Sequence, residues 1–318
     1  MKIALLFPGY GSQYVGMGKD LYDEYRIVQE YFEEASNCLS NNFVKLCFAS
    51  SDAELSKMAN AYTSLFLVSS AVYAVLKEND IEPHVVSGYN NGECAALFAA
   101  GCFSLPDGLY LLNKFCSFYQ EIVDGMDVDA IHVKDISKKR LSDICKDVSE
   151  TEGKAFIALY NSSTDHVVAG NRDQLSAIAD IIDGSGKVEY IGIEGGLHSE
   201  LMNPVIEQFK MYLEKVDFND LRIPLISSID GKIVTRGEDT KDRFISHINS
   251  PLRFDKVLSE LDGYDCILIA APGDTLLQQI KTQYPQKTVV SIAKKADIDK
   301  LKEIINVPHE KAGLTDDN

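Results

Sequence analysis

The sequence has no C-x-x-C pair among its cysteines, no excess of basic residues, no internal repeat and no low-complexity tract. Each absence removes a class of protein. The seven cysteines (Cys38, Cys47, Cys94, Cys102, Cys116, Cys145, Cys266) form an odd, scattered set, which suggests neither a disulfide framework nor a metal site and points to a reducing, cytoplasmic compartment. With 31 Lys+Arg against 48 Asp+Glu the formal charge is −17, so nucleic acid and anionic membrane surfaces are not expected as partners. The opening MKIALLFPGYGS holds an apolar run too short for a signal peptide, without a small-residue cleavage site. No stretch is expected to approach the roughly 20 apolar residues of a membrane span.

What is present is an ordinary globular composition: 318 residues, 45% hydrophobic and 25% charged, enough for one large domain or a large one carrying a smaller one. KIALLF (2–7) reads as a buried strand, followed by a glycine loop and helical patterns over 20–36, 61–79 and 105–126. Alternating strands and helices favour a mostly parallel sheet covered on both faces. Between about 127 and 194 the order changes to strand, helix, strand, strand, helix, strand. The expected fold is therefore α/β: a large α/β-hydrolase-like domain (1–126 and 195–306), an inserted small ferredoxin-like βαββαβ subdomain (127–194), and a flexible polar tail (307–318). A cleft between the two units is the natural place for a ligand.

The stretch VVSGYNNGECAALFAAG (85–101) carries the chemistry. A β-branched run ends in glycine, and an Ala/Leu-rich helical pattern follows, closed by Gly101 at a C-cap place. Strand, tight turn and helix with glycines at 88 and 92 fit the G-x-S-x-G nucleophile elbow. Asn90 stands where serine would. Asparagine tolerates a positive φ, so the elbow backbone survives, but its delocalised carboxamide nitrogen is no acyl acceptor.

Seven ordered segments then resemble the malonyl-CoA:acyl carrier protein transacylase family, over residues 1 to about 293: FPGYGSQYVGMG, SGYNNGECAALFAAG, YNSSTDHVVAG, GGLHSELM, PLISSIDGK, HINSPLRF and AAPGDTLLQQI. The resemblance implies a cleft formed by Tyr10, Gly11, Tyr89, Asn91, Phe115, Asn161 and His247, with no cofactor. It also implies that the catalytic serine maps to Asn90, the preceding histidine to Tyr89 and the oxyanion-loop glutamine to Tyr10. A second glutamine maps to His247, and the carboxylate-binding arginine to Phe115. The general-base histidine, His198, is kept. Acyl-CoA or acyl carrier protein, and other proteins of a synthase, are the partners the resemblance implies.

Neighbouring residues do not read as substitutes for the missing hydroxyl. Cys94 lies one helical turn beyond Asn90 and reads as a buried thiol, Tyr89 has a phenol too weakly acidic to serve, and Cys116 reads as packing. The loop from Gly9 to Ser12 is expected to turn backbone N–H groups toward the cleft. Ser137 to Arg140 reads as a solvated basic helix face, and His84, His132, His166 and His309 have no partner suggested by the sequence. Two functions follow: a catalytically inactive transacylase-like protein with a binding or scaffold role, or an active enzyme of altered chemistry, such as a thioester hydrolase using water activated by His198. The second is helped if the Tyr10 hydroxyl serves as an oxyanion donor.

Overall fold

The computed structural model describes residues 1–150, 153–191, 195–270, 272, 273 and 275–306, so the tail from 307, with His309, lies outside the described residues. Among the described residues ten strands form two sheets: β1 (Ile3–Phe7), β2 (Val85–Gly88), β3 (Val128–Lys134), β4 (Ala155–Tyr160), β5 (Asp165–Asn171), β6 (Lys187–Tyr190), β7 (Leu225–Ile226), β8 (Ile233–Val234), β9 (Cys266–Ala270) and β10 (Thr288–Ile292). The larger sheet has the order β10-β9-β1-β2-β7-β8 and is parallel except for the β7/β8 edge. Its central strands are buried along their whole length and apolar except for Ser87, whose hydroxyl donates to the Ile226 carbonyl, as a sheet covered on both faces requires. The smaller sheet, β4-β5-β3-β6, is antiparallel throughout, and two amphipathic helices, Lys138–Val148 and Arg172–Ile182, pack on one face of it.

The long helix Met58–Glu78 corrects one expectation. By length and composition it could cross a membrane, yet 83% of its most apolar window is buried inside the fold, as a core helix is. The helical pattern over 20–36 also divides: Tyr25 adopts an extended backbone between helices Lys19–Glu24 and Arg26–Leu39. The basic run ahead of Val148 is an exposed helix start, capped by Ser137.

Register places the site. Phe7 pairs with Gly88 across β1 and β2, so the loop after β1 and the elbow after β2 emerge side by side at the carboxyl edge of the sheet. Two glycines make this possible. A Cβ on Gly88 would lie 1.9 Å from Glu93 N, and one on Gly92 would lie 2.2 Å from the Phe7 carbonyl oxygen. Only residues without a side chain allow strand, loop and helix to approach so closely.

Candidate active site

Asn90 tops the turn with φ 51°, the left-handed conformation expected of an elbow residue, and helix Gly92–Ala100 starts directly behind it. His198, itself at φ 58°, is brought opposite by the segment that follows Gly196. His198 Nδ1 lies 2.6 Å from the His247 carbonyl, an acceptor, so Nδ1 carries the proton and Nε2 the lone pair. Nε2 lies 3.2 Å from Asn90 Oδ1. A lone pair needs a donor, which the Asn90 carboxamide supplies when turned to present its NH2 group. His247 closes the ring of contacts, its Nε2 donating to the Asn90 carbonyl at 3.0 Å. Asn90 and His198 are buried, and His247 is half-buried by accessible surface.

Electrostatics disarm the base. Burial, reinforced by His247 and opposed by the hydrogen bond to the His247 carbonyl, lowers the pKa of His198 to about 3. Burial lowers that of His247 to about 4. Both are neutral at pH 7, and His198 has little driving force to take a proton from an alcohol or water. Glu93, fully enclosed beneath the elbow, goes the other way. Burial raises its pKa to about 7, although its carboxylate accepts the Ser228 N–H at 2.7 Å.

The glycine loop is engaged rather than open. Tyr10 and Gly11 line the cleft, but the Tyr10 N–H donates to Asn91 Oδ1 at 2.6 Å and the Gly11 N–H to Gln13 Oε1 at 2.9 Å. The expectation of amides facing the cleft is therefore met in position and not in availability: two side-chain carboxamides accept them. The Tyr10 hydroxyl donates to the Ser56 carbonyl at 2.8 Å, so the phenol points its proton at the backbone instead of at an oxyanion.

Two spaces meet at Asn90 and His198. An inner chamber of about 40 Å³ is lined by Tyr62, Leu112, Phe115, Phe244 and Ile248 among others, and the described residues of its lining include no lysine or arginine. Phe115 packs there in an aromatic cluster with Tyr62, Tyr119 and Phe209. The neighbouring Lys114 lies over the Tyr212 ring, and Arg253 pairs with Asp255. An outer cleft of about 670 Å³ runs between the elbow and the small sheet. Across it Tyr89, edge-on to Phe254, donates its hydroxyl to Asn161 Oδ1 at 3.0 Å. Asn161 Nδ2 donates to Asp165 Oδ1 at 2.8 Å, and His132 Nε2 meets the same oxygen at 2.7 Å. Glu93, His132 and Asp165 were not picked out by sequence reasoning. Glu93 stands in the quoted elbow motif, whereas nothing local signals the other two. Cys94 and Cys116 are buried, and burial raises the Cys94 pKa well above its ordinary value, as inert thiols require.

A family model described as the acyl transferase domain matches residues 4–306. The chain belongs to the malonyl-CoA:acyl carrier protein transacylase family. A malonyl CoA-acyl carrier protein transacylase of Bacillus subtilis is 31% identical over 284 residues, covering 88% of this chain and 90% of that one. A polyketide biosynthesis malonyl CoA-acyl carrier protein transacylase of Bacillus velezensis is 29% identical over 236 residues, 72% of this chain and 78% of that one. Among solved structures, an acyl carrier protein S-malonyltransferase from Vibrio cholerae superposes with a TM-score of 0.90 at 24% identity, over 95% of this chain and all of that one. A malonyl-transacylase in complex with its type II polyketide synthase acyl carrier protein gives 0.90 at 23% identity, over 96% of this chain and all of that one. The likeness to these structures is one of fold. In this transacylase-like chain the fold is kept around an elbow that carries asparagine.

Proposed function

We propose that this transacylase-like protein binds acyl thioesters without forming an acyl-enzyme, and serves a binding or scaffold role in fatty-acid or polyketide synthesis. The observation that carries the reading is Asn90 within 3.2 Å of His198 Nε2, a carboxamide where acyl transfer needs a hydroxyl. The engaged loop amides and the low basicity of His198 support it, because transfer also needs a base and oxyanion donors. In this reading residues 127–194 act as an inserted ferredoxin-like unit that walls the cleft: β3 to β6 form a sheet of their own, tied to the rest of the chain by a parallel bridge between Leu159 and Leu252. Acyl-CoA or an acyl carrier protein is the partner that the family relationship supports.

The test is incubation with malonyl-CoA and acetyl-CoA followed by intact-mass analysis. No stoichiometric adduct is expected, while an acyl group on any residue would overturn the proposal.

A further inference from the structure

The inner chamber has a charge pattern that the elbow chemistry does not use. Among the described residues of its lining Glu93 is the one carboxylate, with no lysine or arginine to answer it. The rings of Tyr62, Phe115 and Phe244 border the same space, and Phe115 stacks on Tyr62 with centroids 6.2 Å apart. An aromatic ring carries a negative face, so the rings and the carboxylate favour a guest of the same sign, a cation. The two histidines of the lining do not oppose one, because both are neutral at pH 7.

Glu93 is held in place without being neutralised. It is 4% exposed and sits in the first turn of helix Gly92–Ala100, where the helix dipole favours an anion. Ser228 supplies its hydrogen bonding, with the backbone N–H 2.7 Å from Oε2. Among the described residues no lysine or arginine stands at ion-pairing distance from it: Arg243, whose charge it feels, is bound at two points by Asp230, at 2.7 and 3.2 Å. A carboxylate so enclosed either takes a proton or is met by a cation that enters the chamber. At about 40 Å³ the chamber exceeds the roughly 10–15 Å³ that one water requires, which leaves room for a small ammonium group.

We infer that the inner chamber is a cation site, and that the acyl group this protein accepts ends in an ammonium: a short ω-amino acyl thioester, with its carbonyl at Asn90 and its amine against the Glu93 carboxylate. Glu93 follows the elbow by about one helical turn, so the chain that joins the two ends is short. A carboxylate at the far end of the acyl group would bring the wrong sign into the chamber. The inference rests on the reading of the protein as a binder of acyl thioesters.

Calorimetric titrations of the full chain at pH 8 compare β-alanyl-CoA with butyryl-CoA, its neutral isostere, and with malonyl-CoA. β-Alanyl-CoA is expected to bind at least about tenfold more tightly than butyryl-CoA, the scale of a charge-assisted contact, with malonyl-CoA the weakest. Glu93→Gln should bring β-alanyl-CoA and butyryl-CoA to within about twofold of each other. In the unaltered chain the preference should shrink at pH 6, where Glu93 is protonated. The groups around Glu93 do not imitate this change. His198 and His247 are already neutral at pH 6, burial holds Cys94 as a thiol, Asp230 is held ionised against burial by Arg243, and Tyr62 borders the same space. Equal or tighter binding of butyryl-CoA or malonyl-CoA, or a preference that survives Glu93→Gln, overturns the cation site and leaves the thioester reading standing. Melting temperatures with propylammonium chloride at pH 8 test the chamber without a thioester. A rise that is lost in Glu93→Gln, with no thioester bound, upholds the cation site and removes the thioester reading, and no response to any of these probes removes both.

Discussion

The side-chain oxygen of Asn91 accepts the backbone N–H of Tyr10 at 2.6 Å, so the residue after the elbow occupies the donor that the glycine loop would offer to an oxyanion. Restoring a nucleophile therefore leaves the hole filled. Asn90→Ser alone should stay within about tenfold of background in malonyl transfer to a carrier protein, because loss of one oxyanion donor typically costs about 2.7–4 kcal/mol. Adding Asn91→Leu, Tyr10→Gln, Tyr89→His and Phe115→Arg should recover far more than the single changes sum to, since catalytic groups act as a unit. Robust turnover from the single variant would show that the other substitutions are tolerated.

The inner chamber sets an acyl preference. Phe115 and its aromatic neighbours offer no cation to a carboxylate, and the buried Glu93 opposes one. Desolvating an unpaired anion there is costly, whereas an acetyl group loses nothing comparable. Calorimetry should find acetyl-CoA bound at least as tightly as malonyl-CoA. Phe115→Arg should shift the ratio toward malonyl-CoA by about tenfold or more, the scale of a charge-assisted pair. A wild-type preference for malonyl-CoA would contradict this account of the chamber.

The buried His198 and the half-buried His247 make the fold sensitive to acid. Their pKa values, about 3 for His198 and about 4 for His247, lie below the ordinary 6.5, so below pH 6.5 the unfolded chain binds protons that the folded chain refuses. Stability is full above pH 6.5 and declines as pH falls toward 4, by roughly 2–3 kcal/mol per pH unit with both groups acting. Urea unfolding at pH 7.5, 6 and 5 should trace this slope, and His247→Gln should halve it. A flat profile would mean that the pair is solvated.

Glu93 predicts the opposite dependence. Its folded pKa of about 7 exceeds the ordinary 4.5, so its contribution is full below pH 4.5 and is lost as pH rises toward 7. Glu93→Gln keeps an acceptor for the Ser228 N–H and removes the buried charge. It should stabilise the protein at pH 8 by roughly 1–3 kcal/mol and have little effect at pH 5, read from melting temperatures. An equal effect at both pH values would point to packing instead of charge.

The elbow was legible because its signals are local: glycines at 88 and 92, a helix-forming run behind them, and an asparagine able to take φ 51°. Elements depending on distant partners were less so. IPLISSI reads as a seven-residue strand, yet only Leu225 and Ile226 pair, because Ser227 starts the turn that bonds Gly231 and Lys232 back to it. The helix Gly237–Asn249, which delivers His247, escaped notice because its sequence is largely polar and buries only Gly237, Thr240 and Ile248. The His132–Asp165 contact joins residues 33 apart through the β3/β5 pairing, and such a register is not written in either strand.

The left-handed backbone at position 90 also filters which mutations the chain can accept. Glycine enters without steric cost, and short polar residues enter at a modest one, whereas valine, isoleucine and threonine clash with the backbone they would have to adopt. Once a nucleophile is lost there, drift is confined to a narrow set of small or polar side chains. The shape of the elbow can therefore outlive its chemistry, and a lineage can give up acyl transfer while the cleft remains intact for selection to act on.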